Sequence, residues 1–191
     1  MVLYKLHPRY SSLDDLIAKF GEPLRLDLGC GYYKPNGFIG LDNGTGFGAQ
    51  IANEDNAPDI LMNLNSEALP FKDNTCIEVR ASHFIEHCVI DHILNEVHRV
   101  LRPDGTFRMI IPYANSAEGM YPGHSIFLTE KWFKRNINFM KKFTIVEETY
   151  IRGDEYKRLP WYFRALLPFD IARTFLFNAC KEMHLVCAVR K

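Results

Sequence analysis

The chain has 191 residues, 47% hydrophobic and 13% aromatic, which suits one packed domain and excludes an intrinsically disordered chain. Lysine plus arginine and aspartate plus glutamate both number 23, so no basic excess points to nucleic acid as a partner. No charge-free apolar run reaches the roughly 18 residues of a membrane span. The opening MVLYKLHPRY has no uninterrupted apolar core, so no signal peptide is expected. The five cysteines, Cys30, Cys76, Cys88, Cys180 and Cys187, are odd in number and never form a CxxC pair; they read as reduced thiols of a cytoplasmic protein.

In chain order, SSLDDLIAKFGEP reads as a short helix. Ser12 caps it, Leu13, Leu16, Ile17 and Phe20 share one face, and Gly21 and Pro23 stop it. LRLDL is a strand ending at Gly29, GFIGLD a second, DILMNL a third, and CIEVRAS a fourth ending at Ser82. In DHILNEVHRVL the spacing of Ile93, Leu94, Val97, Val100 and Leu101 predicts a helix, and Pro103 with Asp104–Gly105 predicts the turn that ends it. TFRMIIP is an apolar strand, and TEKWFKRNI a helix with Thr129 as its cap. FTIVEETYI and HLVCAVRK are the last two strands, around a long insertion. Strands interleaved with helices predict an α/β fold with a largely parallel sheet, whose ligand lies beyond the carboxyl ends of the strands.

The stretch LDLGCGYYKPNGFIGLDNG, Leu26–Gly44, is the most informative. A dinucleotide turn reads GxGxxG and opens a helix that receives a pyrophosphate. Here Pro35 and Gly37 leave only nine residues, Gly29 to Gly37, between the strands, fewer than a parallel crossover normally uses. A short or missing first crossover helix is therefore predicted, which suits a nucleoside without phosphate. S-adenosylmethionine is such a ligand. Gly29 and Gly31 would admit the amino-acid tail and ribose because no Cβ intervenes. Asp27 would hold the tail's ammonium, and Asp42 would accept both ribose hydroxyls.

These residues, together with LNSEALPFKDNTCIEVRASHFIEH and EVHRVLRPDGTFRMIIP, resemble the class I S-adenosylmethionine-dependent methyltransferases, of the small type 11-like subgroup with a shortened first crossover. The resemblance covers residues 23–135. It implies a Rossmann-like three-layer sandwich with a seven-stranded, mostly parallel sheet and an antiparallel last strand. It also implies a single methyltransferase domain over 1–191, with an N-terminal helix in 1–22, a cofactor-binding half in 23–112 and a substrate-side half in 113–191 that carries an insertion at 152–182. The cofactor residues it implies are Asp27, Gly29, Cys30, Gly31, Asp42, Asn63, Leu64, Ser82 and His83. Asn63 stands where the family often has aspartate, so an amide oxygen would meet the adenine amino group.

Methyl transfer to an alcohol needs an aligned nucleophile and a proton acceptor, and histidine has a suitable pKa. The loop PYANSAEGMYPGHSIFLTEKWF resembles the subgroup's substrate-side loop, so His124 is the first candidate base and His83 the second; a backbone-bracing role for His124 is the alternative. Tyr113, Tyr121 and His124 are the candidate acceptor contacts. ASHFIEHCVIDH sets His83 and His87 four apart beside Glu86, Cys88 and His92, but it is not HExxH; no metal is expected, and Glu86–His87 reads as a local structural pair. Residues 156–177 hold seven large aromatics with Lys157, Arg158, Arg164 and Arg173. They read as a helix pair packed on the sheet, a lid over an apolar acceptor, or a segment touching membrane.

The expected activity is methyl transfer to a small-molecule or glycan-like acceptor at oxygen. No NPPY-type motif follows a strand, which disfavours base N-methylation. The competing readings are a cofactor-binding protein without turnover and a nicotinamide-dependent oxidoreductase.

Overall fold

In a computed structural model of the chain, residues 4–45 and 57–191 are described. β1 (Lys5–Leu6) precedes α1 (Leu13–Phe20). Ser12 caps α1 by accepting from the Asp15 N–H at 3.1 Å, and Gly21 ends it with φ +72°. β2 (Leu24–Leu28), β3 (Ile39–Asp42), β4 (Ile60–Leu61) and β5 (Cys76–Ser82) follow, then a 3-10 turn at Ile85–His87 and α2 (Ile90–Val100). α2 buries Ile93, Leu94, Val97 and Val100, the face expected from their spacing.

β6 (Leu101–Pro112) begins as α2 ends. It is longer than the expected strand because the turn lies inside it. Cys76 pairs with Leu101 and Glu78 with Thr106, so residues 102–105 bulge out of the ladder. α3 (Glu130–Arg135) and α4 (Ile137–Lys142) form two helices where one was expected. Thr129 precedes α3 but makes no side-chain cap bond, whereas Asn136 caps α4 through the Phe139 N–H. β7 (Phe143–Arg152), α5 (Asp154–Arg158), α6 (Trp161–Leu166), α7 (Phe169–Phe175) and β8 (Cys180–Val189) complete the chain.

The sheet order is β1-β4-β3-β2-β5-β6-β8-β7. The seven expected strands are all present, and Lys5–Leu6 adds an eighth at the edge, antiparallel to β4. The strands from β4 to β6 run parallel, and β8 is antiparallel to both neighbours. Every β3 residue is buried, as is all of β2 except Arg25, as expected of parallel strands covered on both faces. The chain turns to opposite sides of β2 for β3 and β5, which makes the β2–β5 boundary the switch point.

A buried carboxylate braces this region. Asp59 is fully buried and accepts from Tyr10 Oη at 2.7 Å, Arg9 Nη2 at 2.6 Å, the Gly40 N–H at 2.8 Å and Lys34 Nζ. Burial would raise its pKa, but hydrogen bonds from Lys34, Gly40 and Tyr10 outweigh that and hold it below the usual range.

The expectation of a helix pair packed on the sheet at 156–177 is corrected. Three short helices stand there, and Tyr156, Ala172 and Ala179 form a small cluster separate from the main core. Trp161, Tyr162, Phe163, Leu166, Phe175 and Phe177 are exposed, Trp161 by 74%. Their spacing does not repeat as one apolar stripe, so only a few of these side chains reach the interior. No helix among the described residues is long and apolar enough to cross a membrane. All five cysteines are free and buried.

Candidate functional site

The turn after β2 is built from left-handed backbone, with φ +64° at Gly29 and +51° at Gly31. The N–H groups of Gly29 and Cys30 both donate to the Leu41 carbonyl, at 2.9 and 3.2 Å, which folds the turn back over the end of β3. Asp42 closes it. One carboxylate oxygen accepts the Gly31 N–H at 2.9 Å and the other the Gly44 N–H at 2.8 Å. Each oxygen keeps a lone pair for a further donor. Residues 29–38 hold no helix, so no helix N-terminus waits for a pyrophosphate.

This turn forms one wall of a cavity of about 770 Å³, within the range for nucleotide-sized ligands. Of the expected cofactor residues, Gly29, Cys30, Gly31, Asp42, Asn63, Leu64, Ser82 and His83 line it. Asp27 does not; the wall beside it is formed by Arg80, whose Nη1 lies 2.7 Å from Asp27 Oδ1. The other Asp27 oxygen is buried without a partner among the described residues. Burial pushes the Asp27 pKa up to about 6 despite the pull of Arg80. The Asn63 amide oxygen accepts from the Asn65 N–H at 3.1 Å, leaving one lone pair toward a ligand.

Among the expected acceptor contacts only Tyr121 lines the cavity. Tyr113 is buried elsewhere: its hydroxyl donates to Glu130 at 2.9 Å, and Arg173 joins the same carboxylate at 2.7 Å. Its pKa is pushed up to about 12 by burial and by that bond. In this arrangement Tyr113 braces the end of β6. His124 is also outside the wall. Its ring packs on His87 and Tyr121, and its Nδ1 lies 2.9 Å from the Gly119 carbonyl.

His83 follows β5 with φ +50°, a conformation uncommon outside glycine. Its Nδ1 is 3.8 Å from Glu86 and its Nε2 3.8 Å from Glu182. Burial lowers the His83 pKa even though Glu182 pulls the other way, so the ring is neutral near pH 7. Burial also pushes Glu86 up to about 7. Arg80, Phe84 and His87 also line the wall, beyond the cofactor residues expected.

Residues 26–109 match the family model described as a methyltransferase domain. Over residues that cover 93% of this chain and 91% of the other, a structure described as a SAM-dependent methyltransferase from Archaeoglobus fulgidus superposes with a TM-score of 0.64 at 16% identity. Residues 26–109 thus match a methyltransferase domain, on a fold shared with a structure described as a SAM-dependent methyltransferase. The chain is also similar to 2-methoxy-6-polyprenyl-1,4-benzoquinol methylase of Dictyostelium discoideum, 52% identical over 44 residues, or 22% of this chain and 14% of that protein. The arginine-hydroxylase NDUFAF5 of Homo sapiens is 35% identical over 95 residues, or 44% of this chain and 27% of that protein. The chain spans about a third or less of the length of the curated relatives it matches. Those two relatives are named for different reactions, so activity has to be argued from the site rather than from the fold.

Proposed function

We propose that the chain transfers the methyl group of S-adenosylmethionine to an oxygen of a small-molecule or glycan-like acceptor. The observation that carries this reading is the glycine turn closed by Asp42 at the switch point of the sheet, facing a cavity of matching size. The donor set fits the cofactor. Gly29 and Gly31 let the backbone approach the tail and ribose, and Asp42 offers carboxylate lone pairs to the ribose hydroxyls. Asn63 and Leu64 take the adenine edge. Arg80 sets the charge at the tail end and is itself neutralised by Asp27.

Bound S-adenosylmethionine supplies the methyl electrophile, so the chain has to align the acceptor, take its proton and keep water away. His83 stands in the cavity wall with a neutral ring, which makes it the proton acceptor in this reading. His124, the first candidate from sequence, packs on two wall residues instead of standing in the wall itself. Tyr121 is placed to contact the acceptor.

The test is incubation with S-adenosylmethionine labelled at the methyl group and a metabolite extract, beside calorimetry with S-adenosylhomocysteine and NAD. Label in a new extract compound together with S-adenosylhomocysteine binding is expected. Homocysteine-nucleoside binding without any labelled product would leave a non-catalytic binder, or a different reaction such as the hydroxylation for which the human relative is named. Binding of NAD alone would overturn the cofactor.

A further inference from the structure

Three side chains from two separate segments meet beside the cavity. Glu86 and His87 belong to the 3-10 turn after β5, and His124 to the loop after β6. The two rings stand edge to face, with centroids 4.8 Å apart. Each Nδ1 faces a backbone carbonyl: His87 that of Gly123 at 3.0 Å, His124 that of Gly119 at 2.9 Å. A carbonyl can only accept, so in the neutral rings each Nδ1 carries the proton and each Nε2 keeps a lone pair. A carbonyl on the far nitrogen is the arrangement that orients histidine toward a metal ion.

Glu86 supplies a second, independent sign. It is only 2% exposed, and neither carboxylate oxygen has a hydrogen-bond partner among the described residues. His83 Nδ1, at 3.8 Å, is too far to satisfy it. An unpartnered buried carboxylate is costly to keep. The backbone nonetheless holds it in place, because the Glu86 carbonyl accepts the Ser125 N–H at 2.7 Å and the Ile126 N–H at 3.3 Å. Those bonds tie the loop that bears His124 to the turn that bears Glu86. A cation between the three groups would compensate the carboxylate and use both free imidazole lone pairs.

The ligand atoms of Glu86, His87 and His124 all lie within 4.8 Å of one another. Zinc–nitrogen bonds of about 2.1 Å require tetrahedral donors about 3.4 Å apart, so the side chains would close by up to roughly 1.4 Å. Rotation about side-chain torsions supplies that. Two imidazoles and one carboxylate suit first-row divalent ions with open coordination positions, whereas calcium and magnesium prefer all-oxygen sets.

We propose that Glu86 and the Nε2 atoms of His87 and His124 form a three-ligand site for a first-row divalent cation of the zinc class at the edge of the cavity. His87 and Tyr121 line that cavity, so an open coordination position can take an acceptor oxygen and acidify its hydroxyl. That last consequence rests on the methyl-transfer reading; binding of the ion does not.

The experiment uses untagged full-length protein, stripped with chelator and titrated with cobalt chloride by visible absorption and with zinc chloride by calorimetry. One ion per chain is expected, with cobalt bands free of thiolate charge transfer. Glu86→Gln, His87→Gln and His124→Gln should each weaken binding at least about tenfold. S-adenosylhomocysteine titration of the same samples separates failures: a variant that loses the ion yet binds the nucleoside is folded. Should Glu86→Gln fail to fold, the exposed His87→Gln still decides. No stoichiometric binding, thiolate bands, or equal affinity in all three variants would overturn the site. Ion binding without nucleoside binding would instead overturn the cofactor reading alone.

Discussion

Replacing Gly29 with alanine tests the geometry of the cofactor turn. Its φ of +64° is left-handed, which costs a non-glycine residue about 1 kcal/mol. An added Cβ would stand 2.2 Å from Phe84 Cδ2 and 2.7 Å from Phe84 Cβ. Turning the Phe84 ring away leaves its Cβ in place, so the backbone must yield as well. Overpacking of this kind adds about 1–3 kcal/mol. A total near 3 kcal/mol lowers the midpoint of thermal unfolding by roughly 6–12 °C in a domain of this size. Urea unfolding of Gly29→Ala, Phe84→Gly and the double variant separates the two contributions. In the Phe84→Gly background, which removes the Phe84 Cβ as well as the ring, the Gly29→Ala penalty should shrink to about the 1 kcal/mol of backbone strain. An undiminished penalty there, or a Gly29→Ala protein as stable as the parent, would refute the reasoning. S-adenosylhomocysteine affinity should fall in Gly29→Ala, because Gly29 and Phe84 both line the cavity.

Three further outcomes are expected. Asp42→Ala removes two charge-assisted bonds to Gly31 and Gly44 as well as the proposed ribose contacts; at about 1.5–3 kcal/mol for each such bond, calorimetry should show at least a tenfold loss of S-adenosylhomocysteine affinity, and unchanged affinity would end its ribose role. The Asp27 pKa is raised in the folded state, so the native protein binds the extra proton and the stabilisation is present at low pH and lost as pH rises from about 4 through 6. The stability of the parent minus that of Asp27→Asn should therefore fall by up to about 3 kcal/mol between pH 4 and pH 7 in urea titrations; a flat difference would contradict the upward shift. His83→Ala should keep nucleoside affinity within a few-fold while methyl transfer drops by about 10²–10⁴, and full turnover in that variant would remove it as the proton acceptor.

What could be read from the order of residues was local. The α1 cap at Ser12, the buried face of α2 and the seven expected strands follow from contacts between near neighbours along the chain. So does the glycine turn, since left-handed backbone and a missing crossover helix are written into LGCGYYKPNG. Asp42 was legible because it ends the neighbouring parallel strand, and register alone brings it to the Gly31 N–H. Folding decided what depends on distant segments meeting. Asp59 gathers Arg9, Tyr10 and Lys34 across up to 50 positions. Arg80 displaces Asp27 from the cavity wall, and Tyr113 turns inward to Glu130 and Arg173. His124 is carried to Glu86 and His87, and α6 leaves its aromatics in solvent, as does α7 at Phe175. No spacing rule contains these pairings, because they are set by strand order and loop path, where each side chain takes whichever partner offsets the loss of water.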